Sequence, residues 1–296
     1  MYSSLPADEG STTDTMSHVE KKRPGNKVFD RWIALMDARE YRAASVEAER
    51  VFFYTGERII RMQALLARTW ALKHLGEFDQ AFENLRRASP RALPPELQYR
   101  IHHERTLLMY LREDWEGVLA ESARLGHLVQ NPDWRLLSGY LPVLALMELE
   151  RWEEAGAEMQ AYLDKLGLST SLSASPPDRL NSRKAALLST FIPGSGQMYA
   201  GETGEGLGSL GLQLAALGWG VYNVYTGYYV TALFTGGGLF QAFYFGGIER
   251  AEYHAVERNR TESGKYKREV TAWFLELIEP SLKQKRQTLP DLPFLH

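Results

Sequence analysis

Four segments of the chain, DAREYRAAS, HLGEFDQAF, LREDWEGVL and LERWEEAGA, share one register. Their aromatics fall at Tyr41, Phe78, Trp115 and Trp152, 37 residues apart each time. Three residues later come Ala44, Ala81, Val118 and Ala155, and six residues before the aromatic come Leu35, Leu72, Met109 and Leu146. A period of this kind restricts the fold to stacked supersecondary units, because one such unit cannot bury its apolar face alone. Within a copy the spacing is helical: Leu72, Leu75 and Phe78 lead into Ala81, Leu85 and Ala88 at intervals of three and four. Each unit is therefore expected to be a helical hairpin. The aromatic sits near its turn, and the small residue one helical turn on lets the second helix approach the first. Pro90, Pro94 and Pro95 break the chain between the second and third copies.

The segment ALLARTWALKHLGEFDQAFENLRRA at 64–88, with Leu75-Gly76 and Phe78-x-x-Ala81, resembles a tetratricopeptide repeat (TPR). The likeness extends over about 28–167. It implies an α-solenoid with a concave groove for a partner protein whose identity the sequence does not give. Taken singly, the four aromatics read as core.

The remainder has two regimes. Residues 30–170 are dense in Glu, Arg and Lys, whereas 206–248 hold none of the four charged types. The net charge of −3 gives no electrostatic case for nucleic acid. The absence of cysteine removes disulfides, thiolate nucleophiles and cysteine–zinc sites. Residues 1–27 carry no apolar h-region, so no signal peptide is expected there, and they read as a disordered lead-in. A Ser/Pro-rich linker occupies 168–182.

A membrane span needs about 20 apolar residues. The uncharged run is long enough for two, expected at 206–225 and 228–247 around Thr226-Gly227. Gly238, Ala242 and Gly246 form one small face along the second helix, and Gly208, Ala216 and Gly220 do the same on the first. With the turn at 226–227, Gln213 and Gln241 are expected at one depth, sharing an amide–amide hydrogen bond. Trp219, Tyr222, Tyr225, Tyr228 and Tyr229 surround the turn as an interfacial belt would.

Ahead of this run stands PGSGQMYAGE. Ala185–Ile192 is apolar but too short to span, and reads as an interfacial helix broken by Pro193-Gly194. Gly196 and Gly201 allow the bend, while Gln197 and Tyr199 are expected at headgroup level. The pattern P-G-x-G-Q-x-Y-x-G followed by two spans resembles a group of uncharacterised bacterial membrane domains, loosely TM2-like. That likeness covers about 183–260, ends at Asn259-Arg260, and brings no biochemical activity with it.

Catalytic patterns fail on inspection. Gly206, Gly208 and Gly211 satisfy G-x-G-x-x-G, yet no hydrophobic strand precedes them and no carboxylate follows before Glu249. Ser195 has glycines beside it instead of two positions away, as a nucleophile elbow requires. His102-His103-Glu104 suggests a metal, but adjacent histidines on a helix point about 100° apart. No active site, cofactor or metal is expected.

Arg179, Arg183 and Lys184 precede the hairpin, and Arg250, Arg258, Arg260, Lys265, Lys267 and Arg268 follow it. The positive-inside rule then puts both ends and the repeats in the cytoplasm, or in the periplasm if an export signal precedes this start. Residues 261–296 read as a short helix with Val270, Trp273, Phe274 and Leu277 in phase, packing on the repeats or the membrane surface, then a flexible tail. The expectation is an all-α chain: a TPR-like α-solenoid followed by a transmembrane helical hairpin. It would act as a non-enzymatic scaffold holding a partner at the bacterial inner membrane, with self-association through the hairpin also open to it. The alternative is a protein that handles a small molecule or lipid between hairpins.

Overall fold

The computed structural model describes residues 28–128, 131–170, 172 and 174–286. The lead-in at 1–27 and the tail from 287 lie outside them. Among the described residues all regular structure is helical. They fall into two compact units that divide between Ile101 and His102.

The first unit holds α1 (Asp30–Asp37), α2 (Tyr41–Tyr54), α3 (Arg58–His74), α4 (Phe78–Arg86) and the start of α5 (Pro95–Leu111), which opens on proline, the residue whose missing N–H costs nothing there. α3 packs against both α2 and α4. Ala44, Ala48, Leu65, Leu66, Leu72, Ala81 and Leu85 form its buried interior. Asn84 inside it donates to the Leu65 carbonyl at 2.8 Å and to Thr69 Oγ1 at 2.9 Å, so its amide nitrogen is paired where water is excluded.

The second unit begins within α5 and continues through α6 (Trp115–Leu128), α7 (Pro132–Ser138), α8 (Tyr140–Glu148) and α9 (Trp152–Leu166). α7 and α8 are one helix interrupted at Gly139, because Pro142 offers no N–H to the Ser138 carbonyl and its ring clashes with that oxygen. α10 (Ser182–Phe191), α11 (Ser195–Tyr199) and α12 (Thr203–Tyr225) come next. Then come α13 (Tyr229–Thr231), a π-helical segment (Ala232–Gly237) and α14 (Gly238–Arg286).

The period of 37 is present in the backbone itself. Arg39, Gly76, Glu113 and Glu150 all have positive φ, between 54° and 73°. The residue after each donates its N–H to the carbonyl of Leu35, Leu72, Met109 or Leu146 at 2.8–3.0 Å. This is a Schellman closure repeated four times. Tyr41, Phe78, Trp115 and Trp152 each open the following helix. Ala44, Ala81, Val118 and Ala155 are all fully buried.

Two expectations about the second half are corrected. First, no described helix is long and apolar enough to cross a membrane, so the transmembrane hairpin at 206–225 and 228–247, and the inner-membrane location resting on it, lose their support. Lack of charge is not apolarity. α12 carries Gln213, Asn223, two tyrosines and repeated glycines, and 228–247 is split among α13, the π segment and α14. Second, no boundary falls near 260: α14 runs on for 49 residues as one helix. Its later half buries Val270, Phe274 and Ile278 among Val143, Met147, Met159, Tyr162 and Leu163. The Tyr162 and Phe274 rings meet edge to face at 5.9 Å.

Candidate functional site: an apolar hairpin on a glycine-lined joint

The motif at 193–201 forms a joint between α10, α12 and α14. Gly194 has φ 85°, and a Cβ on it would lie 1.9 Å from the Gly206 carbonyl oxygen. A Cβ on Gly196 would lie 2.0 Å from the Ala185 carbonyl oxygen and 2.7 Å from Ala251 Cβ. The backbone crossing there is closed to any larger residue. Gln197 is 1 % exposed. Its Oε1 accepts from Ser189 Oγ at 3.0 Å and its Nε2 donates to the Gly247 carbonyl at 2.9 Å, which ties α10, α11 and α14 together. Tyr199 lies under Lys184, whose Nζ is 5.1 Å from the ring centre, and its hydroxyl accepts from the Asn181 N–H at 3.3 Å. At Gly201, φ is 93° and a Cβ would strike Arg258, whose guanidinium donates to the Ala200 carbonyl at 3.0 Å. Pro193 is half-buried where α10 ends. Gln197 is thus a buried strut between three helices. Asn259 completes the joint by accepting from the Leu180 N–H and donating to its carbonyl, both at 2.8 Å.

Above the joint, α12 turns back through Gly227 (φ 83°), with Tyr228 N–H bonded to Asn223 O at 2.8 Å. Only Gly206, Gln213, Ala216 and Asn223 of α12 are buried, one narrow stripe. The closest crossing pairs Gly220 with Gly236: a Cβ on Gly236 would lie 2.4 Å from Gly220 Cα. Gln213 does not meet Gln241. Its Nε2 donates to Phe243 O at 3.4 Å, its Oε1 has no partner, and Gln241 is exposed. A π turn holds one residue more than an α turn, so the segment at 232–237 rotates the downstream helix by about 100° and brings Phe243 and Gly247 to the inner face. For the same reason Gly238, Ala242 and Gly246 are not the packing face. A Cβ on Gly238 or Gly246 would meet nothing within 4 Å, and Ala242 is exposed.

Every other side of the hairpin presents apolar groups. Val221, Tyr225, Val230, Leu233 and Phe234 are 68–90 % exposed. Leu207, Leu214, Leu217, Trp219 and Phe245 extend the surface around both helices, and Leu187, Phe191 and Ile192 continue it onto α10. Charge returns only at the base, where Glu205 Oε2 lies 2.8 Å from His254 Nε2 and 3.5 Å from the Arg250 guanidinium. A groove of about 330 Å³ runs from this ion cluster along α12 and α14.

The repeat aromatics are half-buried packing groups. Tyr41 stacks on His74 at 4.6 Å, Trp115 meets Tyr110 edge-on at 5.0 Å, and Trp152 meets Tyr266 of α14 at 5.2 Å. Phe78 is likewise half-buried. His102 is buried with its Nδ1 2.7 Å from Glu121 Oε1, while His103 turns to Ser138 Oγ at 2.7 Å, so the two do not converge. Among the described residues no group of His, Asp and Glu is placed to hold a metal ion. Burial pushes the Glu121 carboxyl up, but the hydrogen bond and charge of His102, with Arg105 and Arg124 beside it, outweigh this and hold it below the usual range.

Sequence reasoning did not find Ser189, Gly206, Gly236, Gly247 or Arg258. Each acts through a residue 8 to 58 positions away, and single-chain periodicity carries no signal for such pairs. No protein-family model, curated protein or solved structure matches the chain.

Proposed function

We propose that this chain is a non-enzymatic scaffold whose helical repeats hold a partner protein and whose hairpin seats the assembly on a lipid surface without crossing it. The observation that carries this is the distribution of exposed apolar groups. They surround the hairpin instead of forming one stripe, and 206–248 has no charge. A flat protein partner covers one face of a helix pair, whereas acyl chains mould themselves to several faces of a pair partly immersed in one leaflet. The aromatic cluster at the tip fits that setting, since amphipathic rings favour the interface. The resemblance of 28–167 to TPR arrays supports the partner-binding half.

Flotation of the full chain with phospholipid vesicles tests the reading. Val230 and Phe234, 72 % and 74 % exposed, can be changed to Glu without disturbing the joint. V230E/F234E should reduce floated protein by at least tenfold, since seating each of the two side chains in lipid contributes roughly 1.5–3 kcal/mol. Wild-type protein that stays with the aqueous fraction, or a variant that floats equally well, refutes lipid seating.

A further inference from the structure

We propose that the groove between α12 and α14 at the hairpin base binds one zwitterionic phospholipid of the phosphate-plus-primary-amine class; this rests on the lipid-seating reading. The groove lies where the charged base gives way to the uncharged hairpin, so ionic and apolar groups follow one another along it as they do along a lipid. Its mouth carries one acid and one base. Glu205 is held from the side by His254 at 2.8 Å, which leaves the 68 % exposed Arg250 side chain, 3.5 Å away, able to turn to a second anion. Arg250 then meets the phosphate and Glu205 the ammonium, a match in sign that neither a neutral nor a purely anionic headgroup offers.

Beyond the mouth, Leu212, Ala242, Phe243 and Gly246 line an open apolar channel, and the groove as a whole, mouth included, has a volume of about 330 Å³, room for the first part of one acyl chain. The channel exists because Gly208 and Gly246 have no side chains and nothing else fills their places.

The test is native mass spectrometry of the full chain exchanged into mild detergent micelles containing equal phosphatidylethanolamine and phosphatidylglycerol. Wild-type protein should retain one phosphatidylethanolamine per chain. Gly246→Leu adds bulk to the channel from a Cβ that itself meets nothing within 4 Å, and should lower occupancy about tenfold while vesicle flotation is unchanged. Arg250→Ala should lower it similarly. No retained lipid, equal retention by Gly246→Leu, equal retention of phosphatidylglycerol, or a dimer in place of the lipid each overturns the assignment. Because the micelle measurement needs no vesicle, failure of wild-type protein to float counts against lipid seating alone.

Discussion

Gly196→Ala and Gly211→Ala are the same chemical change in one module, and the surroundings give them opposite signs. At Gly196 the added methyl would sit 2.0 Å from the Ala185 carbonyl oxygen, 2.5 Å from Ser189 Oγ and 2.7 Å from Ala251 Cβ. Two of these three obstacles are a helix backbone and a fully buried alanine, so relief requires α10 or α14 to move. That movement also strains the Ser189 bonds to the Gly196 N–H and to Gln197, both 3.0 Å. Overpacking with partial loss of buried hydrogen bonds costs about 3 kcal/mol. Gly211 lies in the interior of α12 with nothing within 4 Å of a Cβ, so alanine there removes chain entropy from the unfolded state and stabilises by about 0.5–1 kcal/mol. For a unit of this size, roughly 2–4 °C accompany each kcal/mol. Thermal unfolding by circular dichroism should show Gly196→Ala lowered by about 6–12 °C and Gly211→Ala raised by about 2 °C. Hydrogen exchange should localise the first effect to 183–201. A Gly196→Ala protein within about 1 °C of wild type would refute the claim that backbone closeness selects glycine in this motif.

The four repeated turns make a second, internally controlled series. Glu113, at φ 61°, should gain about 0.5–1 kcal/mol on change to Gly, whereas Gly76→Ala, at φ 73°, should lose about 1 kcal/mol; urea midpoints decide both. A third prediction concerns acid. The lowered Glu121 carboxyl contributes stability that is fully present above its ordinary value of 4.5 and is lost as pH falls through its lower folded value. Unfolding free energy should therefore decline below about pH 4.5, and Glu121→Gln should be less stable by about 2 kcal/mol at neutral pH with a shallower acid slope, as read from denaturation at stepped pH.

The repeat half was legible because its constraints are local and recur. An aliphatic residue six before the turn aromatic, the aromatic itself and a small residue three after it recur at fixed spacing, so four copies confirm one another, while the left-handed turn is marked by glycine only at Gly76. The position of the hairpin turn was legible for the same reason, through Gly227. What escaped the sequence was long-range or cumulative. The phase of α14 depends on the π segment, which no composition signals, so the facing partner of Gln213 was misplaced. The glycines of 193–201 announced a bend, but not that Gly206, Ala185 and Ala251 stand against them. Charge counting overstated the apolarity of 206–248, because glycine, amide and tyrosine groups dilute it without adding any charge. The polar second half of α14 resembled a separate element only because its surroundings change from the joint to the repeats.

α14 is held by the joint from Gly247 to Asn259 and by the last repeat from Tyr266 to Ile278, with about 10 Å of unbroken helix between. A short rigid link of this kind passes a tilt from one end to the other. A tilt of the joint by about 10° about Asn259 carries the first repeat contact through roughly 2 Å. The repeat end of the second unit therefore acts as a pointer for the angle at which the hairpin sits, and a stiffening or softening change midway, around Gly264, would alter the gain of that read-out without touching either anchor.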